Sequence, residues 1–261
     1  MSTKFSTLNT LELEVVRDVQ ARFLPYRLPR IQGLDYCGDS RSAAQVGGDF
    51  FDLMLEGTGG LVLSVGEVSG EGIAAAILMS GIQSLLRGLS GTLNFDAVRV
   101  VRELNRTVYE VSPEDFFSTV FYARVDAASR QLQYVSAGHE PALLIRADGS
   151  TVQRLESTGA VLGLTPRASY SCRTLAFEPG DVLVVYTDGI PDMAIPDLVR
   201  RNAGARASEL VALIMEAAER VDAPEDDHTV VVVRNEGREP CSFVRAMKAW
   251  CVEEHCEAST A

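Results

Sequence analysis

From Ser118 onward the chain alternates short runs of strand-forming residues with tight turns, and this pattern limits its folds more than any other feature. Ser118 to Val125, Leu132 to Ala137, Ala142 to Ile145, Ser171 to Phe177 and Val182 to Thr187 read as strands, and Thr229 to Val233 is an unbroken β-branched run of the kind found in a sheet interior. Asp126 to Ser129, Asp148-Gly149, Glu178 to Asp181 and Asp188-Gly189 read as the turns between them. Connections this short pair neighbouring strands antiparallel, because a parallel pair needs a crossover of a dozen or more residues.

Helical patterns frame these strands. Leu11, Leu13, Val15, Val16, Val19, Phe23 and Leu24 form a stripe, with Asn9 and Glu12 spaced as a capping box, which predicts a helix over residues 10–24. Leu61 to Val65 alternates as a strand, Gly66 to Gly72 is a loop, and Ile73 to Leu86 reads as a buried helix. Asn94 is the expected cap of a further helix carrying Phe95, Val98, Val101, Leu104 and Val108 on one face. Residues 208–221 form the last helix before the final strand. Mixed elements with many hairpins imply an α+β layered sandwich, read as one domain over residues 1–234. The tail, 235–261, carries Phe243, Met247, Trp250 and Cys251 on one face of a short helix that would pack or dimerise.

Composition narrows the function. A formal charge of −12 opposes binding to nucleic acid and to anionic membranes, and the basic pairs, such as Arg200 with Arg201, are too short to offset it. The longest apolar stretches fall well short of the roughly 20 residues of a membrane span, and the N-terminus lacks a secretory pattern, so a cytoplasmic setting is expected. Five cysteines without CxxC spacing suggest neither disulfides nor zinc.

Acidic residues recur where strands meet glycine-containing or tight loops: Asp49 after Gly47-Gly48, Glu67 after Gly66, Asp188 before Gly189, and Asp226-Asp227 before Thr229. Taken singly, each is more simply a turn residue. Taken together, carboxylates without His or Cys partners suit Mg²⁺ or Mn²⁺, and two such ions about 4 Å apart would bind a phosphate and acidify a water.

The segments Val46-Gly47-Gly48-Asp49-Phe50-Phe51-Asp52, Gly66-Glu67-Val68-Ser69-Gly70-Glu71-Gly72, Ala137-Gly138-His139-Glu140-Pro141, Tyr186-Thr187-Asp188-Gly189 and Asp226-Asp227-His228-Thr229 follow one order. Over residues 10–234 the chain resembles the SpoIIE/RsbU-type bacterial phosphatases, a branch of the metal-dependent type 2C serine/threonine phosphatases. The resemblance implies a four-layer α-β-β-α sandwich of two mostly antiparallel sheets flanked by helices. It implies two Mn²⁺ or Mg²⁺ ions on Asp49, Glu67, Asp188 and Asp226, with the backbone carbonyl of Val68 as a further ligand and a metal-activated water as nucleophile. Asp227 joins the metal set, and both it and Asp52 are read as acceptors that orient metal-bound waters, with simple solvation an equally good reading of each. The implied substrate is phosphoserine or phosphothreonine on a signalling protein, for which a STAS-type anti-sigma-factor antagonist is the model. Control would fall to a separate regulator at the first helix or to homodimerisation.

The second motif of that family usually reads Gly-Asp-Val-Ser-Gly-His-Gly, whereas this chain has Glu67 and Glu71 at the Asp and His positions. An extra methylene moves the Glu67 oxygens outward by over an ångström unless the loop retreats. A phosphoprotein-binding module without turnover is therefore the alternative to an enzyme. His139 is read as bracing a loop and His228 as turned away from the site by strand alternation. The segment after Asp188 is short, so a flap beside the substrate groove is expected to be reduced.

Overall fold

The computed structural model describes residues 10–25, 28–57, 59–93, 96–113, 115–221 and 226–237. The tail helix and Asn9 lie outside them. Two five-stranded sheets stack face to face. One has the order β1 (Leu34–Arg41), β10 (His228–Asn235), β9 (Val182–Tyr186), β6 (Ala142–Ile145), β7 (Val152–Leu155). The other has the order β2 (Phe50–Leu55), β3 (Leu61–Val68), β4 (Ser118–Asp126), β5 (Gln131–Ala137), β8 (Arg173–Ala176). All eight strand pairings are antiparallel.

Alternation along β10 explains the four layers. Val231 and Val233 point between the sheets beside Phe51, Leu63, Phe121 and Val185. Val230 and Val232 point the opposite way, against α4 (Ile195–Arg201) and α5 (Ala207–Val221). Burial on both faces is why this strand reads as continuous valine. The second sheet is covered likewise by α2 (Gly72–Thr92) and α3 (Ala97–Val111), through Met79, Leu86, Val101 and Leu104. The four-layer α-β-β-α expectation is thus met.

Element boundaries depart from the sequence reading for local reasons. α1 (Thr10–Gln20) stops short of residue 24, and a turn carries the chain to Pro25. α2 continues past Leu86 because Gly81, Gly88 and Gly91 face open space, where a missing side chain costs helix propensity but leaves no hole. At that length α2 is apolar enough to cross a membrane by length and composition alone; here Ala75, Ala76, Met79, Ile82 and Leu86 are buried against the fold. The cap of α3 is Asp96, whose carboxylate accepts the Arg99 amide at 3.0 Å, while Asn94 lies outside the described residues. β1, β2, β7 and α4 were not expected.

Candidate active site

The five motifs meet at one end of the paired sheets. β2 starts just after Asp49, β3 ends through Glu67 and Val68, β9 runs into Thr187 and Asp188, and β10 starts after Asp226 and Asp227. Asp49 joins the two sheets: its Oδ2 accepts the Thr187 hydroxyl at 2.7 Å, and that hydroxyl oxygen accepts the Thr229 amide at 3.0 Å. The carboxylate is buried at 6% exposure. Burial holds its pKa well above the ordinary range, with Asp227 and Glu67 adding repulsion and Thr187 opposing it.

Glycines let the backbones close up. A Cβ at Gly48 would sit 2.6 Å from the Val68 carbonyl oxygen, and one at Gly47 only 2.0 Å from Asp227 Oδ2. The Val68 amide in turn donates to the Gly48 carbonyl at 3.2 Å, so the first and second motifs are laced together. Ser118 Oγ donates to the Glu67 carbonyl at 2.7 Å and fixes the end of β3.

A cleft of about 380 Å³ opens here, and the ionisable side chains lining it, Glu67, Glu71, Asp226 and Asp227, are all acidic. Burial, then repulsion from Asp188, Asp226, Asp227 and Glu140, raises Glu67 to about 7. Asp188 is raised by burial and by Asp226. Among the described residues no three Asp, Glu, His or Cys side chains converge closely enough to hold a metal ion. The donor set itself, hard oxygens with uncompensated charge, fits Mg²⁺ or Mn²⁺.

Asp227 lies beside this group but spends its oxygens on backbone. Oδ1 accepts the Ala43 amide at 2.9 Å, and Oδ2 accepts those of Gly48 at 2.8 Å and Asp49 at 3.4 Å. Asp52 is remote in role: its side chain, 1% exposed, pairs with Arg87 of α2. Neither a solvated carboxylate nor a water acceptor, Asp52 is the buried member of an ion pair whose guanidinium is half-exposed. His139 braces as expected, with Nδ1 2.8 Å from the Thr119 hydroxyl. His228 is buried beside Gly189 and shares a strand face with Val230 and Val232, toward the helices. Sequence reasoning missed Gln20, whose side-chain amide reaches the first motif at Gly47.

The model of the family described as Stage II sporulation protein E (SpoIIE) matches residues 57–236. The chain belongs to the SpoIIE family. It is 29% identical over 235 residues to the phosphoserine phosphatase RsbU of Bacillus subtilis, covering 85% of this chain and 70% of that protein. It is 32% identical over 220 residues to protein IcfG of Synechocystis sp., covering 72% of this chain but only 34% of that one. This chain therefore spans about a third of IcfG. The crystal structure of the RsbU and RsbW domains of a Mycobacterium tuberculosis protein superposes with a TM-score of 0.73 at 29% identity, over 84% of this chain and 64% of that one. The SiaA-PP2C domain of Pseudomonas aeruginosa, 18% identical, shares the fold at a TM-score of 0.75 over 85% of this chain and 95% of that one. The SpoIIE-type resemblance read from the five motifs is confirmed, and with it a phosphatase family whose members depend in general on divalent metal ions.

Proposed function

We propose that this SpoIIE-family protein is a metal-dependent serine/threonine phosphatase that hydrolyses phosphoserine or phosphothreonine on a signalling protein. One observation carries the reading: a cleft whose ionisable lining is wholly acidic would repel a phosphate dianion, so it serves a phosphoester only with cations between. Asp49, Glu67, Asp188 and Asp226, with the Val68 carbonyl, are the residues that would hold two Mn²⁺ or Mg²⁺ ions. Such a pair, when bound, supplies positive charge to the phosphoryl oxygens and lowers the pKa of water. The chain's own part is to keep these oxygens at one end of the sheets. Thr187 fixes the Asp49 carboxylate, and Asp227 holds the loop that bears it. The likeness to RsbU supports a partner-switch setting, with a phosphorylated STAS-type protein as substrate and a regulator or second copy acting at α1. The setting proposed is cytoplasmic.

Hydrolysis of a phosphoserine peptide in Mn²⁺ tests this. The purified chain should turn the peptide over, and Asp188→Asn should abolish turnover. A second reading, a phosphoprotein-binding module without turnover, is favoured by Glu67 and Glu71 alone. A silent parent whose activity returns in Glu67→Asp would replace the enzyme with that module.

A further inference from the structure

Among the described side chains of α1, Gln20 alone is buried; Leu11, Val15 and Val19 are more than half exposed. Leu13 and Val16 are half-buried, and Gln20 makes the helix's buried contact with the body of the fold. Gln20 Nε2 donates to the Gly47 carbonyl at 2.6 Å, and Gln20 Oε1 accepts the Gly47 amide at 3.3 Å. A primary amide is the side chain that can satisfy both groups of one peptide residue at once, since it carries a donor and an acceptor on one carbon. The next two amides, of Gly48 and Asp49, are held by Asp227.

We infer that Gln20 is a positioning residue for the metal-bearing loop, gripping Gly47 from α1 while Asp227 grips Gly48 and Asp49. Two glycines in succession make the grip necessary, because each has more backbone freedom than any other residue and nothing in its own side chain to limit it. Freed on one side, the loop places the Asp49 carboxylate less sharply, and an ångström of misplacement suffices to spoil a site of this kind. Gln20 touches neither substrate nor the proposed ions. Whatever moves the end of α1 therefore moves the loop as well, which makes the helix a mechanical part of the site rather than an appendage.

The inference rests on the phosphatase reading only in naming what the loop is for. Its test compares Gln20→Leu, similar in size but apolar, with Leu13→Ala, which loosens the same helix without removing the amide. Mn²⁺ affinity is measured by calorimetry at a temperature where all variants are folded, and exchange of the Gly48 and Asp49 amides by NMR in metal-free protein. Gln20→Leu should weaken Mn²⁺ binding at least about tenfold and speed both amides by a similar factor, whereas Leu13→Ala should lower only the melting temperature. Gln20→Glu, which still accepts from Gly47 N–H but faces its carbonyl with another oxygen, should fall on the same side as the leucine variant. If Gln20→Leu merely melts earlier, with Mn²⁺ affinity and amide exchange unchanged, Gln20 is a structural anchor and the inference is overturned. A parent that binds Mn²⁺ yet leaves phosphopeptides intact would sink the phosphatase reading while the exchange data still decide the grip.

Discussion

His139 makes stability depend on pH with a sign and size that follow from its surroundings. It follows β5 and Gly138 and lies wholly inside the fold, with the Thr119 hydroxyl 2.8 Å from Nδ1. Burial lowers its pKa from 6.5 to about 4, opposed slightly by the Tyr186 backbone. Between those values the unfolded chain binds a proton that the folded chain refuses. The stability present above pH 6.5 is therefore lost as pH falls toward 4, by about 2 kcal/mol at pH 5 and about 3 kcal/mol at pH 4. The raised carboxylates act the other way. Glu67, at about 7 when folded, relieves its repulsion as it is protonated, so the metal-free protein gains stability over part of the same range. The raw profile mixes the two, but comparison with His139→Asn cancels the carboxylates, which both proteins share. Urea unfolding in EDTA from pH 7.5 to 4.5 should show the variant less stable at neutral pH, with the gap narrowing or reversing by about 2 kcal/mol at pH 5. Parallel profiles would mean that His139 is protonated inside the fold or reaches solvent, and the reasoning would fail.

Three further outcomes follow from the loop geometry and its support. Gly48→Ala would drive a Cβ to within 2.6 Å of the Val68 carbonyl, a backbone atom that cannot swing aside; Mn²⁺ affinity by calorimetry should drop at least about tenfold. Asp227→Asn sets an NH₂ against amides that need acceptors, so thermal or urea unfolding should show a loss of about 1–3 kcal/mol, and the loop amides should exchange faster. Arg87→Met strands the buried Asp52 carboxylate and should cost about 3 kcal/mol in urea unfolding; adding Asp52→Asn should recover part of it, and no recovery would refute the ion pair as the cause.

The fold was legible where burial alone decides structure. Continuous valine in β10 and the amphipathic face of α3 need no partner to be read, since each announces how many of its sides are covered. β1 escaped because Leu34–Arg41 mixes Asp, Gly, Ser and Cys, and only pairing with β10 makes it a strand. β2 escaped for the opposite reason: Phe50–Leu55 carries Asp52 within its four buried residues, a pattern that alternation rejects until Arg87 is seen across the layer. α2 outran its predicted end because a glycine stops a helix only when its conformation is needed elsewhere, and Gly81, Gly88 and Gly91 face open space.

The site divides along the same line. Carboxylates announce themselves by residue type, and Asp49, Glu67, Asp188, Asp226 and Asp227 gather at one end of the sheets, whereas Asp52 turns away to Arg87. What residue type cannot reveal is which oxygen faces the cleft and which faces backbone. Asp226 and Asp227 are adjacent and chemically identical, yet among the described residues Asp227 accepts three amides of the first loop while Asp226 accepts its neighbour's amide, at 2.8 Å. Three amide donors engage Asp227, so its carboxylate holds Gly48 and Asp49 in place. Gln20 was invisible for a related reason: its partners are the backbone groups of a glycine 27 residues away, and backbone groups leave no trace in the sequence. An acidic cluster of this kind needs rigid carriers, because its members repel one another. The carriers here are a threonine, a glutamine and a second aspartate, each of which acts on the loops that bear the cluster.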